Sequence, residues 1–175
     1  MDTVARLLAE LEGQQVRQWP LHDWQPPCCG VIDIRIDRAG HWYHQGVAFQ
    51  RVSLLRLLSA LLRHDADGYC LVTPSEKWLL TVEDVPFVAH LDSVTGSGPS
   101  RQVFLRNTVG DLFRVDADHP LRMRGAPGNR RPYVPVRAGL EARILTAAFY
   151  QMAELACEVN GQWGLFSAGQ FFSLE

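Results

Sequence analysis

Apolar residues recur along this chain with two different periods, which together predict a mixture of helices and strands. Helical spacing predicts helices over residues 3–12, 52–63 and 139–159, and the last is the longest. Alternating or short apolar runs predict strands over residues 31–37, 41–45, 69–73, 77–82, 86–94, 102–106, 112–115, 121–124, 132–136, 164–167 and 170–174. Short turns join most of these strands, so we expect antiparallel neighbours in an α+β fold.

Two segments of the chain resemble each other weakly, residues 69–80 and residues 163–174. Each begins with an aromatic residue, continues through leucine, a second apolar residue and a hydroxyl residue, and then turns over small residues. The order strand, strand, helix, hairpin also occurs twice in the predicted elements. We therefore predict a duplication into two related units, each an antiparallel sheet with a helix, and chance recurrence is the alternative.

A run of small residues, Gly-Ser-Gly-Pro-Ser at positions 96–100, is the best linker candidate. The sequence therefore predicts an N-terminal helix and aromatic loop over residues 1–25, an α+β domain over residues 26–98 and a second α+β domain over residues 99–175. Trp19 and Trp24 lie in the aromatic loop and are expected to pin it onto the protein.

Composition narrows the class of protein. An apolar fraction of 47% and a charged fraction of 21% are typical of a globular chain. The net charge of -2 does not suggest a bulk nucleic-acid binder or a membrane binder. The first residues lack the basic start and apolar run of a secretory signal, and no apolar run reaches the roughly 18–20 residues that span a bilayer. We therefore expect a cytoplasmic protein with reduced thiols.

The sequence carries no recognisable catalytic motif. It has no glycine-rich nucleotide loop, no P-loop and no nucleophile elbow, and its six histidines form no His-Glu-x-x-His pattern. Adjacent Cys28 and Cys29 do not have the spacing of zinc ligands, which leaves a plain loop pair or a redox role. Cys70 is expected in a core strand and Cys157 on a core helix. We predict no catalytic residue, no metal and no cofactor.

Three polar stretches are candidates for binding an anion. The first is the turn with Thr73, Glu76 and Lys77, where donors surround exposed backbone N–H groups. The second contains Arg106, Asn107 and Asp111, the third His119, Arg122, Tyr133 and Arg137. Planar guanidinium groups suit phosphate, and a tyrosine ring stacks on a base. The alternative in each case is an ordinary polar turn or a solvated loop.

Several of these stretches resemble a bacterial family, the domain of unknown function 1285. The resemblance is carried by residues 32–36, 71–77, 82–87, 107–111, 118–122, 132–137 and 149–150, and thus covers nearly all of the chain after the first helix. It implies two related α+β halves, the second similar to a pleckstrin-homology fold. It also implies a nucleotide-like ligand at the interface of the halves and a role in signal transduction.

Three functions follow as hypotheses. The first is a non-catalytic sensor that binds a phosphorylated or nucleotide-like ligand, with Lys77, Arg106, His119, Arg122 and Arg137 as donors and with Asn107 and Tyr133 at the base or sugar. The second is a hydrolase of such a ligand, with acid–base groups from Glu76, Glu83, Asp84, Asp111 and His119. The third is a module that binds a protein partner and no small ligand.

Overall fold

The computed structural model describes residues 3–10 and 19–175, with only the backbone described for residues 8–10. The described chain forms two compact units that divide between Glu83 and Asp84. The sequence places its boundary later, at residues 98 and 99. The difference arises because the strand Phe87–Thr95 pairs with strands that follow it in the chain and so lies in the second unit.

The described residues of the first unit form two helices and a six-stranded sheet. The helices are α1 (Thr3–Glu10) and α2 (Val52–Ala60), and the strands are β1 (Cys28–Ile36), β2 (Trp42–His44), β3 (Val47–Ala48), β4 (Leu62–Asp65), β5 (Gly68–Val72) and β6 (Lys77–Val82). The strand order is β3-β2-β1-β6-β5-β4, and only β1 and β6 are parallel. Residues 11–12 of the predicted first helix lie outside the described residues.

The second unit contains a six-stranded sheet, a three-stranded sheet and one α-helix. Its elements are β7 (Phe87–Thr95), β8 (Gln102–Asn107), β9 (Leu112–Arg114), β10 (Arg122–Arg124), β11 (Arg131–Arg137), β12 (Leu140–Ile144), α3 (Thr146–Ala153), β13 (Cys157–Val159), β14 (Gln162–Ser167) and β15 (Gln170–Ser173), with a 3-10 turn at Gly98–Ser100. The large sheet has the order β10-β11-β12-β7-β8-β9, and β13-β14-β15 form the small one.

The two six-stranded sheets share one topology. Each consists of two three-stranded antiparallel meanders, and in each the first strand of the first meander lies parallel to the last strand of the second. Both parallel pairs end alike: Glu83 N–H donates to Ile36 C=O, and Leu145 N–H donates to Ala89 C=O. The predicted mixture of helices and strands in two similar units is therefore confirmed at this level.

The equivalence differs in register from the sequence repeat. Topologically, β4-β5-β6 corresponds to β10-β11-β12, since both meanders end on the central parallel strand. The sequence matched residues 69–80 with residues 163–174, which form β14 and β15 in the separate small sheet. Both segments are hairpins, as predicted, but they occupy different places in their units.

The predicted long helix over residues 139–159 is wrong. This segment forms β12, then the short helix α3, then β13. Leu140, Ala142 and Ile144 are buried between the half-buried Glu141 and Arg143, which is the period of a strand. Cys157 consequently lies in a strand and not on a helix. Likewise, α2 ends at Ala60, and the last residues of the predicted helix begin β4.

Tight turns explain why these strands reverse so closely. Four hairpins turn on two residues with positive φ, Gln45-Gly46, Ala138-Gly139, Asn160-Gly161 and Ala168-Gly169, and glycine is second in each. Such pairs of positive φ give the turn a twist that matches the twist of antiparallel strands.

In the core of the first unit β1 contributes Ile32, Ile34 and Ile36. No described helix is long and apolar enough to cross a bilayer.

Candidate functional site

Basic charge is concentrated in the meander β10-β11-β12. Residues 121–145 contain six arginines and one glutamate, a net charge of +5 in a chain whose net charge is -2. The sequence signal is the alternation around Arg122 and Arg124, which places both side chains on the same side of a strand. This meander also contains Arg122, Tyr133 and Arg137 from the third polar stretch.

Strand register brings four of these arginines onto one face of the sheet. Arg122 is opposite Tyr133, Arg124 is opposite Arg131, and Tyr133 is opposite Arg143. Paired residues of antiparallel strands project to the same side, so Arg122, Arg124, Arg131, Tyr133 and Arg143 share one face. We call these five residues the arginine face.

Arg124 is the best-positioned cation of the arginine face. Its guanidinium carbon lies 3.8 Å from the centre of the Tyr133 ring, a cation–π stack. Its Nη2 also donates to Glu141 Oε2 at 2.8 Å. The Arg124 side chain nevertheless keeps 46% of its surface exposed, so it is both oriented and accessible.

The Tyr133 ring on which Arg124 stacks is itself held in place by Asp84. The tyrosine is buried, and its hydroxyl lies 3.1 Å from both carboxylate oxygens of Asp84. Burial, followed by the hydrogen bond to Asp84, raises the pKa of Tyr133 above its usual value. Arg143 Nε pairs with the same carboxylate at 3.2 Å and is largely buried. Tyr133 therefore acts as a support for Arg124, and its predicted contact with a base or sugar stays a prediction.

The outer arginines have a different environment. Arg122 and Arg131 are exposed, as is Arg130 in the preceding loop, and none of the three has a carboxylate partner within residues 3–10 and 19–175. Like charges that face each other across antiparallel strands are destabilising, and Arg124 faces Arg131 in this way. An anion between the guanidinium groups would remove that repulsion and accept charge-assisted hydrogen bonds from both.

Asn107, Asp111 and Arg137 are brought together elsewhere in the second unit. Asn107 is buried, and its Oδ1 accepts from Val109 N–H at 3.1 Å and from Asp111 N–H at 2.9 Å. Its Nδ2 donates to Asp111 Oδ2 at 2.9 Å, and Arg137 Nη1 donates to that same oxygen. These bonds close the turn between β8 and β9 and tie Arg137 to it.

Arg137 lies on the other side of the sheet from the arginine face. Its guanidinium carbon lies 5.2 Å from the centre of the Phe87 ring, and Phe87 pairs with Ala142, the neighbour of Arg143. Adjacent residues of a strand project to opposite faces. A register shift between Pro135 and Arg137 accompanies the change of side, which the simple alternation in the sequence did not indicate.

Arg106 and His119 have their own partners in the second unit. Arg106 Nε pairs with Asp92 Oδ1 at 2.7 Å, and this hydrogen bond holds the pKa of Asp92 below its usual value. His119 Nδ1 lies 3.1 Å from Asp116 Oδ1, which also accepts the His119 backbone N–H. The His119 ring packs 5.4 Å from that of Phe113. Within the described chain, no hydrogen bond, ion pair or ring contact joins either residue to the arginine face.

Thr73 and Glu76 form a closed turn in the first unit. Thr73 N–H donates to Glu76 C=O at 2.9 Å, and Glu76 N–H donates to the fully buried Thr73 hydroxyl at 3.1 Å. The Glu76 carboxylate accepts from Trp78 Nε1 at 2.9 Å and pairs with Arg6 of α1 at 3.1 Å. The turn therefore fastens the first helix to β6.

Lys77 belongs to a network of ion pairs. Its Nζ lies 2.8 Å from Asp65 Oδ2 and 2.8 Å from Asp67 Oδ1, and its side chain is 12% exposed. Arg63 makes a two-point contact with Asp65 at 2.7 Å and donates to the backbone carbonyls of Leu21 and Trp24. These contacts hold the aromatic loop by its main chain, whereas the sequence assigned this role to the side chains of Trp19 and Trp24.

This network shifts the pKa values of its members. The hydrogen bond from Arg63, more than the opposing effect of burial, lowers the pKa of Asp65 to about 2. Hydrogen bonds from Asp65 and Asp67 raise the pKa of Lys77 above its usual value. Burial raises the pKa of the nearby Cys70 thiol to about 11, which makes that cysteine unreactive at neutral pH. Lys77 is therefore a charged residue already neutralised by two carboxylates.

The carboxylates of the hydrolase hypothesis each have separate partners. Glu83 pairs with Arg35 at 2.6 Å, Asp84 with Arg143, and Asp111 with Arg137. Within the described part of the chain, no three His, Cys, Asp or Glu residues are grouped so that they could hold a metal ion.

The comparisons with known proteins agree on one family. The model "Domain of unknown function (DUF1285), N-terminal domain" matches residues 19–85, and "Protein of unknown function (DUF1285), C-terminal domain" matches residues 86–174. A crystal structure of a DUF1285 family protein from Silicibacter pomeroyi DSS-3 is similar at 38% identity and a TM-score of 0.88, covering 99% of this chain and 95% of that one.

A second solved structure is more distant. The crystal structure of a DUF1285 family protein from Shewanella baltica OS155 is similar at 23% identity and a TM-score of 0.52, covering 71% of this chain and 92% of that one. This likeness concerns the fold alone. No curated protein matches the chain. Both family models, which meet two residues after the division between the two units, and the Silicibacter structure show that the chain belongs to the family of unknown function DUF1285.

Proposed function

We propose that the protein is a non-catalytic sensor that binds a small phosphorylated, nucleotide-like ligand through the arginine face of its second unit. One observation carries the proposal: Arg124 directly opposes Arg131, beside an exposed Arg122, and neither Arg122 nor Arg131 has a carboxylate partner within the described chain. Facing cations on one sheet face are costly unless an anion joins them.

The spacing of the three arginines across and along the strands suits a phosphate or diphosphate. Opposed residues in antiparallel strands have Cβ atoms about 4.5–5.5 Å apart, and residues two apart along a strand are separated by about 6.6–6.8 Å. Arg122, Arg124 and Arg131 thus begin close enough together for their long side chains to contact one anion. Arg124 is held in place by Tyr133, which lowers the entropic cost of binding.

Binding is favoured over hydrolysis by the same contacts. The arginine face supplies cations, while Asp84 and Asp111 are each occupied by an arginine. A hydrolase of the same ligand is the alternative, and a module for a protein partner is a further one. We retain the expectation of a cytoplasmic location, with no bulk nucleic acid and no membrane as partner, and of a role in signal transduction. The position of the ligand relative to the two halves stays a prediction.

A thermal-shift screen and calorimetry test the proposal. Phosphate, pyrophosphate and nucleoside mono-, di- and triphosphates are titrated into the wild type, Arg122→Ala, Arg131→Ala and the control Arg51→Ala. Arg51 is an exposed arginine of the first unit. A ligand that binds only the folded state raises Tm. We expect at least one phosphate compound to do so, with the Kd raised about tenfold in either arginine-face variant and unchanged in the control.

Two results would contradict the proposal. If no phosphate compound raises the Tm of the wild type, the arginine face is not a phosphate site. If a compound binds equally well to all three variants, the ligand contacts another part of the protein. Release of inorganic phosphate from a bound compound would instead support the hydrolase alternative.

We also propose that the two sheets arose by duplication and that the second unit is similar to a pleckstrin-homology fold. The shared order of two meanders around a parallel pair supports the duplication. For the pleckstrin-homology likeness, the small sheet and α3 in the second unit are the elements to compare. Superposition of residues 28–83 on residues 87–145 tests the first idea, which fails if the parallel pairs do not coincide.

A further inference from the structure

The exposed face of the first sheet carries a groove that the proposed function does not use. Its volume is about 430 Å³, which lies in the range of small-molecule sites, and it is lined by residues of β1, β2 and β6 and the turn after β2. Ile32, Ile34 and Ile36 of β1 face the core, so the alternate residues Val31, Asp33 and Arg35 face outward.

Arg35 is a fixed cation at one end of the groove. Its Nη1 pairs with Glu83 at 2.6 Å, and its guanidinium carbon lies 4.4 Å from the centre of the Tyr43 ring. Tyr43 is opposite Arg35 in the neighbouring strand, and its hydroxyl donates to Asp37. The Arg35 side chain is 43% exposed, so N–H groups of its guanidinium remain available to an anion.

Asp33 and Thr81 supply complementary groups. Asp33 is exposed, and its carboxylate has no partner within the described chain; its backbone carbonyl accepts from Gln45 N–H. Thr81 is opposite Arg35 on the parallel strand β6 and is exposed as well. Val31 is 70% exposed and adds an apolar wall beside these polar groups.

We propose that this groove binds a free α-amino acid with an apolar side chain. The amino group would donate to Asp33, the carboxylate would accept from Arg35 and the Thr81 hydroxyl, and the side chain would contact Val31. Asp33 and Arg35 lie two residues apart on β1 and face the same side of the sheet, although the pairing with β6 is irregular between Val31 and Arg35. The amino nitrogen and carboxylate oxygens of an α-amino acid are about 3 Å apart, so a hydrogen bond at each end requires about 9 Å between the polar atoms of Asp33 and Arg35. Glu83, which lies beside Ile36, holds the Arg35 guanidinium on the side away from Asp33 and so favours this longer separation.

The opposite charges of Asp33 and Arg35 select against other ligands. A phosphorylated anion would meet the uncompensated carboxylate of Asp33, and a simple amine would leave Arg35 without a new partner. A zwitterion makes a favourable contact with both groups, whereas an anion is repelled by Asp33 and an amine gains nothing from the exposed N–H groups of Arg35. The groove lies in the first unit and shares no residue with the arginine face of the second unit.

Calorimetry and amide NMR on the full-length protein test the groove. Valine and leucine are compared with valinamide, which lacks the carboxylate, and with N-acetylvaline, which lacks the ammonium. We expect valine or leucine to bind and to shift the amide signals of β1 and β6. We expect Kd to rise at least tenfold for either capped compound and for Asp33→Asn or Arg35→Gln.

Asp118→Asn is the matched control, since Asp118 is an exposed aspartate of the second unit; it should bind valine like the wild type. The proposal is overturned if no apolar amino acid binds at about 10 mM. It is also overturned if capped and free valine bind alike. Because Asp33 is exposed, its substitution should leave Tm unchanged, and a folded Asp33→Asn that binds valine normally refutes the role of the carboxylate.

Discussion

Most of the charged and polar side chains that stand out in the sequence form ion pairs or hydrogen bonds with other residues of the folded protein. Lys77 forms ion pairs with Asp65 and Asp67, and Asn107 accepts hydrogen bonds from the backbone of its own turn. At the residue scale, such contacts distinguish structural polar groups from candidates for binding. Arg122 and Arg131 belong to the second class because they are exposed and lack a described carboxylate partner.

Asp65 should make the first unit sensitive to acid. Its pKa is lowered from 3.8 to about 2, so its stabilising effect is complete above pH 3.8 and is lost as the pH falls through about 2. The shift corresponds to about 2 kcal/mol. We expect Asp65→Asn to lower the free energy of unfolding at pH 7 by about that amount and to flatten its change between pH 4 and pH 2.

Urea unfolding at several pH values measures this effect. Asp118→Asn, in an exposed loop position, is the control. An unchanged acid dependence in Asp65→Asn would mean that the network with Arg63 and Lys77 contributes nothing to stability.

Asn107→Ala should destabilise the second unit. The substitution removes the acceptor of two backbone N–H groups in a buried turn, where each unsatisfied group costs about 1–3 kcal/mol. We expect a loss of about 2 kcal/mol in urea unfolding. Thr108→Ala, at the exposed neighbouring position, should change it by less than about 0.5 kcal/mol. Equal losses for both variants would contradict the role of the amide.

Glu141 competes with a bound anion for Arg124. Its carboxylate occupies Arg124 Nη2 at 2.8 Å. Glu141→Gln removes the negative charge while keeping the side-chain length, so a phosphate compound that uses the arginine face should bind several-fold more tightly. Calorimetry with the compound found in the screen measures this change. Weaker binding would indicate that Glu141 orients Arg124 more than it competes.

At the element scale, the small sheet depends on a close approach between strands. A Cβ at Gly164 of β14 would overlap the backbone of Phe172 and lie 2.5 Å from the Phe171 ring. Gly164 pairs with Ser173 across the hairpin, and its backbone conformation is not the left-handed one. The glycine is therefore required for space and not for a special φ.

Gly164→Ala should accordingly destabilise the protein by about 2 kcal/mol, as overpacking in a core does. Thermal unfolding compares it with Gln170→Ala, an exposed position on the neighbouring strand. A Tm equal to that of the wild type would show that β15 moves aside without cost.

For the whole molecule, the topology predicts where the backbone is most protected. The parallel pairs β1–β6 and β7–β12 lie at the centre of their sheets, while β3 and β10 lie at edges. Amides that open only on extensive unfolding exchange slowest. We expect hydrogen exchange to be slowest at the two parallel pairs and fastest at β3 and β10. Slower exchange in the small sheet β13-β14-β15 than in the parallel pair of β7 and β12 would contradict this order.

The sequence by itself determined the class of fold and most of the strands. Residues 77–82 form β6 within the predicted bounds, because local alternation and turn residues suffice to define a half-buried strand. The helix prediction for residues 139–159 was wrong because β12 and α3 are both short and apolar, and no glycine or proline separates them. The order of strands, too, depends on long-range pairing that no local pattern encodes.

The candidate site shows the same division. Sequence reasoning found Arg122 and Tyr133, whose neighbours carry an obvious basic and alternating pattern. Only the tertiary structure decided that Arg124 and Arg131 face each other and that Arg137 turns to the other side, because cross-strand register and a single register shift set those positions. Residue type thus determined the chemistry available, while pairing between distant strands determined which groups act together.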